Sequence, residues 1–324
     1  MGKADASFAP RQRRRNIGRA FMRFKRLDLN LLVALDALLR ERNVSRAADG
    51  LNLSQSAMSN ALARLRDYFN DDLLVQVGRK MELTPQAESL AESVRDILLR
   101  IDTAIAVQPE FIAADSKRTF NLLVSEYTTS VLMPTLLSLV HREAKNISFR
   151  FLPQNTSPEA MLTSGDADLL IMPENFIPPG HPSEQLYEDD FSCVVWRDSA
   201  AFGETLTVEE YLAASHIVAE FAAARASYES WFIKRYGAER RIAVVTPSFL
   251  TLCPLVVGTD CIATVHSRIA RQALESLPIR LLPLPVEIPK LIQMVQWHKY
   301  RSQDPGLKWL RGHLRTAGQR IQTR

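Results

Sequence analysis

The residues most open to chemical reading lie near the front of the chain. Ser54-Gln55-Ser56 is followed one helical turn on by Ser59-Asn60 and then by Arg64. Gln and Asn side chains can make bidentate bonds to adenine in the major groove, and Ser can donate or accept at several bases. A serine at a helix start also leaves backbone N–H groups free for phosphate. Arg64 suits a phosphate or an intramolecular partner, as does Arg66, and Arg79 with Lys80 reads as the basic tip of a hairpin within reach of phosphate or minor groove. Ser45, the expected cap of the preceding helix, joins this DNA-facing set.

A second group lies where apolar runs end. Ser125, Glu126, Tyr127 and Thr128 follow Phe120–Val124, Glu174 follows Leu169–Met172, Phe221 follows His216–Ala219, and Ser248 and Phe249 follow Ile242–Val245. Thr264 and His266 stand where Cys261–Val265 meets its helix. Open α/β sheets bind ligands beyond the carboxyl ends of their strands. The set Ser125, Tyr127, Thr128, Glu174, Phe221, Ser248, Phe249, Thr264 and His266 thus offers aromatic walls, hydroxyls and a switchable histidine, with Trp297 and His298 as further candidates. That chemistry suits a planar aromatic carrying hydroxyl or carboxyl groups. Glu126 and Glu174 oppose an anion unless paired, so a neutral phenol or flavonoid-like molecule stays open beside it.

The elements that must hold these residues follow from periodicity. Helical spacing begins at Leu29 with Asp28 as its cap; a short helix opens at Ser45; Asn52-Leu53 breaks the chain; a third helix runs from Ser54 to about Phe69 with Ala57, Met58, Ala61, Leu62 and Leu65 inward. Three helices with a short turn before the last make a helix-turn-helix. Leu73–Val77 and Met81–Leu83, around Gly78-Arg79-Lys80, predict a wing. Thr84-Pro85 opens a long helix on which Ala87, Ala91, Val94, Leu98, Ile101 and Ile105 form a heptad seam that asks for a partner helix, with Pro109 ending it. From Arg118 onward strands and helices alternate, predicting a largely parallel α/β sheet in two lobes, which the chain leaves after Met172 and re-enters near Leu281.

The expected organisation is a disordered basic extension over 1–21, a winged helix-turn-helix over 22–84, a linker and dimerisation helix over 85–108, and an effector-binding domain over 118–324. Translation from Met22 is a further expectation, since patterned sequence begins there. Residues 1–100 carry 18 Lys and Arg against 12 Asp and Glu, whereas the remainder carries 22 against 24. A basic front joined to a near-neutral back fits one part on a polyanion. No run approaches the ~20 apolar residues of a membrane span, and the front has no apolar signal core, which together predict a cytoplasmic protein. No catalytic motif, metal-ligand spacing or cofactor fingerprint is present, which speaks against an enzyme or a metal site; the heptad helix and missing signal speak against a solute-binding protein. Cys193, Cys253 and Cys261 form no CxxC pair, leaving a thiol-based redox sensor as the rival within regulation.

The segment from Leu27 to Ala87 resembles the DNA-binding region of LysR-type transcriptional regulators: the Leu-rich first helix, Ser45-Arg46-Ala47-Ala48, Leu53-Ser54-Gln55, Ser59, Arg64-Leu65-Arg66 and Leu83-Thr84-Pro85 stand at the family's spacing. MRFKRLDLNLLVALDALL is similar to the branch of the nodulation regulators (NodD), and QWHKYRSQDPGLKWLR resembles aromatic-responsive relatives there such as the salicylate regulator NahR. Ser56 and Asn60 depart from the family's usual Pro and Arg. The resemblance, covering roughly Met22 to Arg315, implies an α/β protein with an all-α winged helix-turn-helix domain in front and a two-lobed effector domain like a periplasmic binding protein behind. It implies an activator of an aromatic-catabolic or symbiosis operon that acts as a homodimer or homotetramer on promoter double-stranded DNA with RNA polymerase. A small aromatic effector would sit in the inter-lobe cleft, with no cofactor.

Overall fold

The computed structural model describes residues 28–105, 110–154, 157–221, 225–235 and 239–323. The expected basic extension, the Met22 start and Pro109 lie outside them. The chain divides into two compact units, Met1–Ile105 and Ala106–Arg324.

In the first unit, α1 (Leu29–Glu41) is capped by Asp28, whose carboxylate accepts from the Asn30 N–H at 2.9 Å. Helix α2 spans Val44–Gly50 and α3 spans Gln55–Phe69. The cap of α2 is Asn43, two residues earlier than the expected Ser45: Asn43 is extended and accepts from the Arg46 N–H at 3.0 Å, so Ser45 sits exposed inside the first turn. Asn52 takes the left-handed conformation (φ 54°) that an Asn side chain tolerates, closing the turn before α3. Leu31, Leu35 and Leu38 of α1, Ala47 and Ala48 of α2, and Met58, Leu62 and Leu65 of α3 form one core. Ala57, expected inward, is exposed; it falls on the polar side of α3 beside Ser56.

The wing is a hairpin of β1 (Leu74–Val77) and β2 (Lys80–Leu83) with Gly78-Arg79 as its two-residue turn, so Lys80 belongs to the strand rather than the tip. Gly78 has φ 62°, a value the turn demands and glycine meets without strain. Helix α4 (Pro85–Ile105) is capped by Thr84, which accepts from Ala87 N–H at 3.1 Å while donating to Asp71 at 2.6 Å. Its seam is partly spent inside the unit. Ala87 and Val94 are buried in the helix-turn-helix core, Ala91 and Leu98 pack against it, and Arg95 reaches Asp36 of α1 at 3.1 Å. A helix lying along α1 gives part of its apolar face to that neighbour, so these four positions are at least partly engaged within the unit.

The second unit holds two mixed sheets. The first orders β4 (Ser148–Leu152), β3 (Thr119–Leu123), β5 (Leu169–Pro173), β13 (Leu291–Trp297) and β6 (Ser183–Asp189); the second orders β10 (Arg241–Thr246), β8 (Ser215–Phe221), β11 (Cys261–His266), β7 (Phe191–Trp196) and β12 (Ile279–Leu282), with β9 (Arg225–Ala226) on β8. Three neighbouring strands pair in parallel in each, and β13 in the first and β7 in the second run against all the others, pairing antiparallel on both sides. The sheets are therefore mixed rather than largely parallel, because β7 and β13, the strands entered after the two lobe crossings, run back along the sheet. The crossings also fall later than expected: β6 still belongs to the first lobe, the chain crosses at Asp190, and it returns through β13 after Leu282.

Helices cover these sheets: α5 (Glu126–Val131), α6 (Met133–Glu143), α7 (Pro158–Thr163), α8 (Val208–Ala213), α9 (Tyr228–Arg235), α10 (Leu252–Val256), α11 (Ser267–Leu274) and α12 (Pro305–Gln322). The stretch expected as one helix over Val131–Glu143 begins at Met133, with Pro134 in its first turn where a missing N–H costs nothing. Helix α12, absent from the sequence reading, buries Leu307, Leu310, Leu314, Ala317 and Ile321 against the first lobe.

Candidate functional site

On the first unit, Ser54 accepts from the Ala57 N–H at 3.2 Å and stands 3.0 Å from Ser56 Oγ. Gln55, Ser56, Ser59, Asn60 and Arg64 are all exposed along α3, and Arg79 is exposed at the wing turn. Arg64 lies 3.9 Å from Asp28 with both side chains largely in water, a contact weak enough to leave it free for phosphate. Arg66 is committed differently: it donates to the Asp72 and Leu74 carbonyls at 2.8 and 2.9 Å, tying α3 to the base of the wing. Arg46 is likewise held by Glu41, at 3.2 Å. What remains is a polar helix face without internal obligations, beside a basic hairpin.

In the second unit a cleft of about 870 Å³ opens between the lobes at the carboxyl ends of the parallel strands. The structure brings five of the expected residues into its wall: Ser125, Tyr127, Phe221, Phe249 and His266. Four are placed elsewhere. Thr128 is buried behind the wall, 2.9 Å from Ser125 Oγ; Thr264 is inside the second lobe, 2.7 Å from Tyr211 Oη; Ser248 donates to Glu126 at 3.0 Å; and Glu174 stands outside the wall on the 3-10 turn that follows β5. A residue that follows a strand is turned into the cleft only when its backbone is, and the three hydroxyls serve other side chains instead. Trp297 also lies outside, beneath the Arg311 guanidinium at 3.8 Å, and His298 caps the turn after β13.

The wall further contains Phe176, Tyr228, Trp231, Ser227 and Gln293, which sequence reasoning did not single out. One signal was legible: Gln293 interrupts the apolar alternation of Leu291–Trp297 at a core-facing register, where an amide needs a reason. Nothing in the local sequence marks Trp231.

His266 is stacked on Tyr127 (centroids 4.0 Å apart), edge-on to Phe249 (4.8 Å) and tilted on Phe191 (5.0 Å). Burial among these rings lowers its pKa to about 3, so the ring is neutral at physiological pH and is not a switch there. Tyr127 donates to Asp189 at 2.7 Å, and burial raises its pKa well above the ordinary phenol value. Asp189 sits at the lobe crossing, with Arg268 Nε at 3.8 Å; Arg268 also donates to the Glu188 carbonyl at 3.2 Å and to that of Ile321. A side chain in the cleft wall is thus bonded directly to the hinge between the lobes.

Residues 29–88 match the bacterial regulatory helix-turn-helix protein, lysR family, and residues 113–319 match the LysR substrate binding domain. The chain belongs to the LysR family. This LysR regulator is 40% identical to Nodulation protein D 1 of Rhizobium tropici over 93% of its own length and 98% of that protein's, and 43% identical to Nodulation protein D 2 of the same species over 90% and 92%. Full-length OxyR of Pseudomonas aeruginosa shares the fold, with a TM-score of 0.72 over 89% of this chain and 95% of that one at 16% identity. The regulator is a DNA-binding transcription factor with a winged helix-turn-helix and a two-lobed α/β effector domain. No helix among the described residues is long and apolar enough to cross a membrane.

The thiols bear on the rival within regulation. Burial raises the pKa of Cys193 to about 12 and of Cys253 to about 11, withholding the thiolate that oxidation requires. Titration of the native regulator with a disulfide reagent is expected to find at most Cys261 reactive, and peroxide is expected to leave DNA affinity unchanged. Rapid modification of two or three thiols with loss of binding would revive the redox reading.

Proposed function

We propose that this regulator activates a symbiosis or aromatic-catabolic operon in response to a small aromatic inducer held between the lobes of its effector domain. The observation that carries the reading is the aromatic-walled cleft at the strand ends, whose Tyr127 is bonded to the hinge carboxylate Asp189. Cross-cleft contacts supply the second half of a two-state element. Glu126 meets Ser248 at 3.0 Å and Asn175 donates to the Tyr228 hydroxyl at 3.3 Å, so a ligand preferring one lobe closure shifts the population toward it. The names of the relatives at about 40% identity support the symbiosis operon over the catabolic one.

The regulator works in the cytoplasm as a homodimer or homotetramer and, once induced, recruits RNA polymerase. Self-assembly is supported by β10, a free sheet edge with Ile242, Val244 and Val245 exposed, which an isolated monomer would leave open to chance pairing.

DNA reading falls to Gln55, Ser59 and Asn60 on base edges, with Ser45, Ser54, Ser56, Arg64 and Arg79 positioning the domain on the backbone. Gln55→Ala is expected to narrow the gap between cognate and random DNA by about 1–3 kcal/mol, whereas Arg79→Ala weakens both alike and lowers the salt slope by about one. Equal losses on both DNAs for Gln55→Ala would move base reading away from α3. The whole reading is tested by footprinting the protein on its own upstream intergenic DNA in the presence of phenols, benzoates and flavonoids. A footprint altered by one aromatic supports it. A specific footprint that none alters removes the aromatic inducer, and no specific footprint removes the operon.

A further inference from the structure

The wing reaches outward from a narrow base. Leu73 and Leu74 are buried there and Leu83 is half-buried, while residues 76–80 lie in water. Among the described residues β1 pairs only with β2, and a two-stranded hairpin has little stiffness of its own. The direction of the wing is therefore set at its base, and the tip magnifies any play. Arg79 lies five residues beyond Leu74. A tilt of roughly 10° at the base thus carries it about 2–3 Å, well outside the ~0.5 Å window of an N–H···O bond.

Two sets of bonds fix that base. From α3, the Arg66 guanidinium donates through Nε to the Asp72 carbonyl at 2.8 Å and through Nη2 to the Leu74 carbonyl at 2.9 Å. From the loop, a single oxygen of Asp71 accepts both the Leu73 N–H at 2.7 Å and the Thr84 hydroxyl at 2.6 Å. The Thr84 N–H donates in turn to the Leu73 carbonyl at 3.1 Å. The entry and exit of the hairpin are clasped at one carboxylate and hung from α3 by one arginine. The clasp holds Leu73 at φ 59°, a left-handed conformation that costs a leucine free energy and persists only where its surroundings impose it. Arg66 is two positions beyond Arg64, roughly 200° round the helix, so the two arginines face different ways.

We infer that Arg66 and Asp71 are positioning residues for DNA binding: they aim the wing so that Arg79 meets phosphate, and neither touches DNA itself. This inference rests on the reading of Arg79 as a backbone contact. The planar fork of Arg66 spans two carbonyls, which the single ammonium of lysine does not reproduce. For Asp71 the sign is diagnostic. Removing an acid from a basic DNA-binding domain strengthens binding if charge alone counts, whereas loss of the clasp weakens it.

The test is the slope of log affinity against log salt for the full-length protein on a random-sequence duplex, where backbone contacts count and base reading does not. A partly unfolded variant loses affinity at every salt concentration but keeps its slope, so structural damage alone does not imitate the expected result. Arg79→Ala is expected to lower the slope by about one. Arg66→Lys, with its charge retained, is expected to lower it equally, and adding Arg79→Ala to that variant is expected to change nothing more. Asp71→Ala is expected to flatten the slope likewise and to weaken binding. A native slope in Arg66→Lys, a further loss of about one in the double variant, or tighter binding by Asp71→Ala overturns the inference while leaving Arg79 on phosphate. If Arg79→Ala alone leaves the slope unchanged, the wing's part in DNA binding falls and the inference falls with it.

Discussion

Replacing Gly318 with alanine is expected to destabilise the effector domain by about 3 kcal/mol or more, the upper range for forcing an atom into a packed core. Gly318 lies on α12 where the helix crosses β6, and a Cβ there would stand 2.2 Å from the Leu186 carbonyl oxygen and 2.9 Å from its carbon. Both are main-chain atoms in a strand paired with β13, so they cannot swing aside as a side-chain tip would. The helix must lift, and Leu314, Ala317 and Ile321 lose their burial with it. Gly312 on the same helix is the control: nothing lies within 4 Å of its Cβ position, so alanine there is expected to be neutral or to stabilise by up to about 1 kcal/mol. Urea midpoints of the two variants decide the matter, and equal midpoints would mean that α12 does not sit on β6 this closely.

Acidification to about pH 5 is expected to cost the effector domain roughly 3 kcal/mol of stability, through two histidines held neutral. His266 has its pKa lowered to about 3 by burial among Tyr127, Phe191 and Phe249. His216, 2.6 Å from the Tyr211 carbonyl oxygen, is lowered to about 4 by burial and by the nearby Arg240. In the unfolded chain both return to about 6.5. Below that pH the unfolded state takes up protons that the native state refuses, so the stability is complete above 6.5 and falls as pH drops toward 4. Each histidine contributes about 2 kcal/mol at pH 5. Asp189, whose carboxyl is raised by burial, works in the opposite direction and offsets part of the loss. Asp304, lowered by Arg118, gives up its stabilisation only below the ordinary carboxylate range. Denaturant midpoints at pH 7 and 5, with His266→Gln removing about half the difference, provide the measurement; a flat profile would mean that the native rings are protonated or open to water.

The front of the chain was readable because its decisions are local. Asp28, Ser54 and Thr84 each cap a helix with a side chain that reaches only two or three residues along, and Gly78 closes a two-residue turn. At the second helix a competing local partner decided: Asn43 adopts the extended cap, and Ser45 lies two positions too late for it. The α4 seam is shared in a way that periodicity does not reveal. Apolar periodicity shows that Ala87 and Val94 need a neighbour, but not that α1 of the same chain provides it.

By itself, then, the sequence determined the helix-turn-helix, the polar face of α3, the wing and the alternation of strands and helices, since caps, turns and periodicities are written over a few adjacent residues. Only the tertiary structure decided which strand-end residues share the cleft. Tyr127 and His266 stack across the lobes, while Thr264, two residues before His266, turns into the second lobe toward Tyr211. It also decided that β7 and β13 run back along their sheets, that His266 is held neutral by burial, and that Gln293, Ser227 and His266 carry buried atoms with no partner among the described residues. Those outcomes depend on segments far apart in the chain meeting across two crossings. Burial and partnership at such a junction are properties of the packed neighbours, and no residue carries them in its own sequence context.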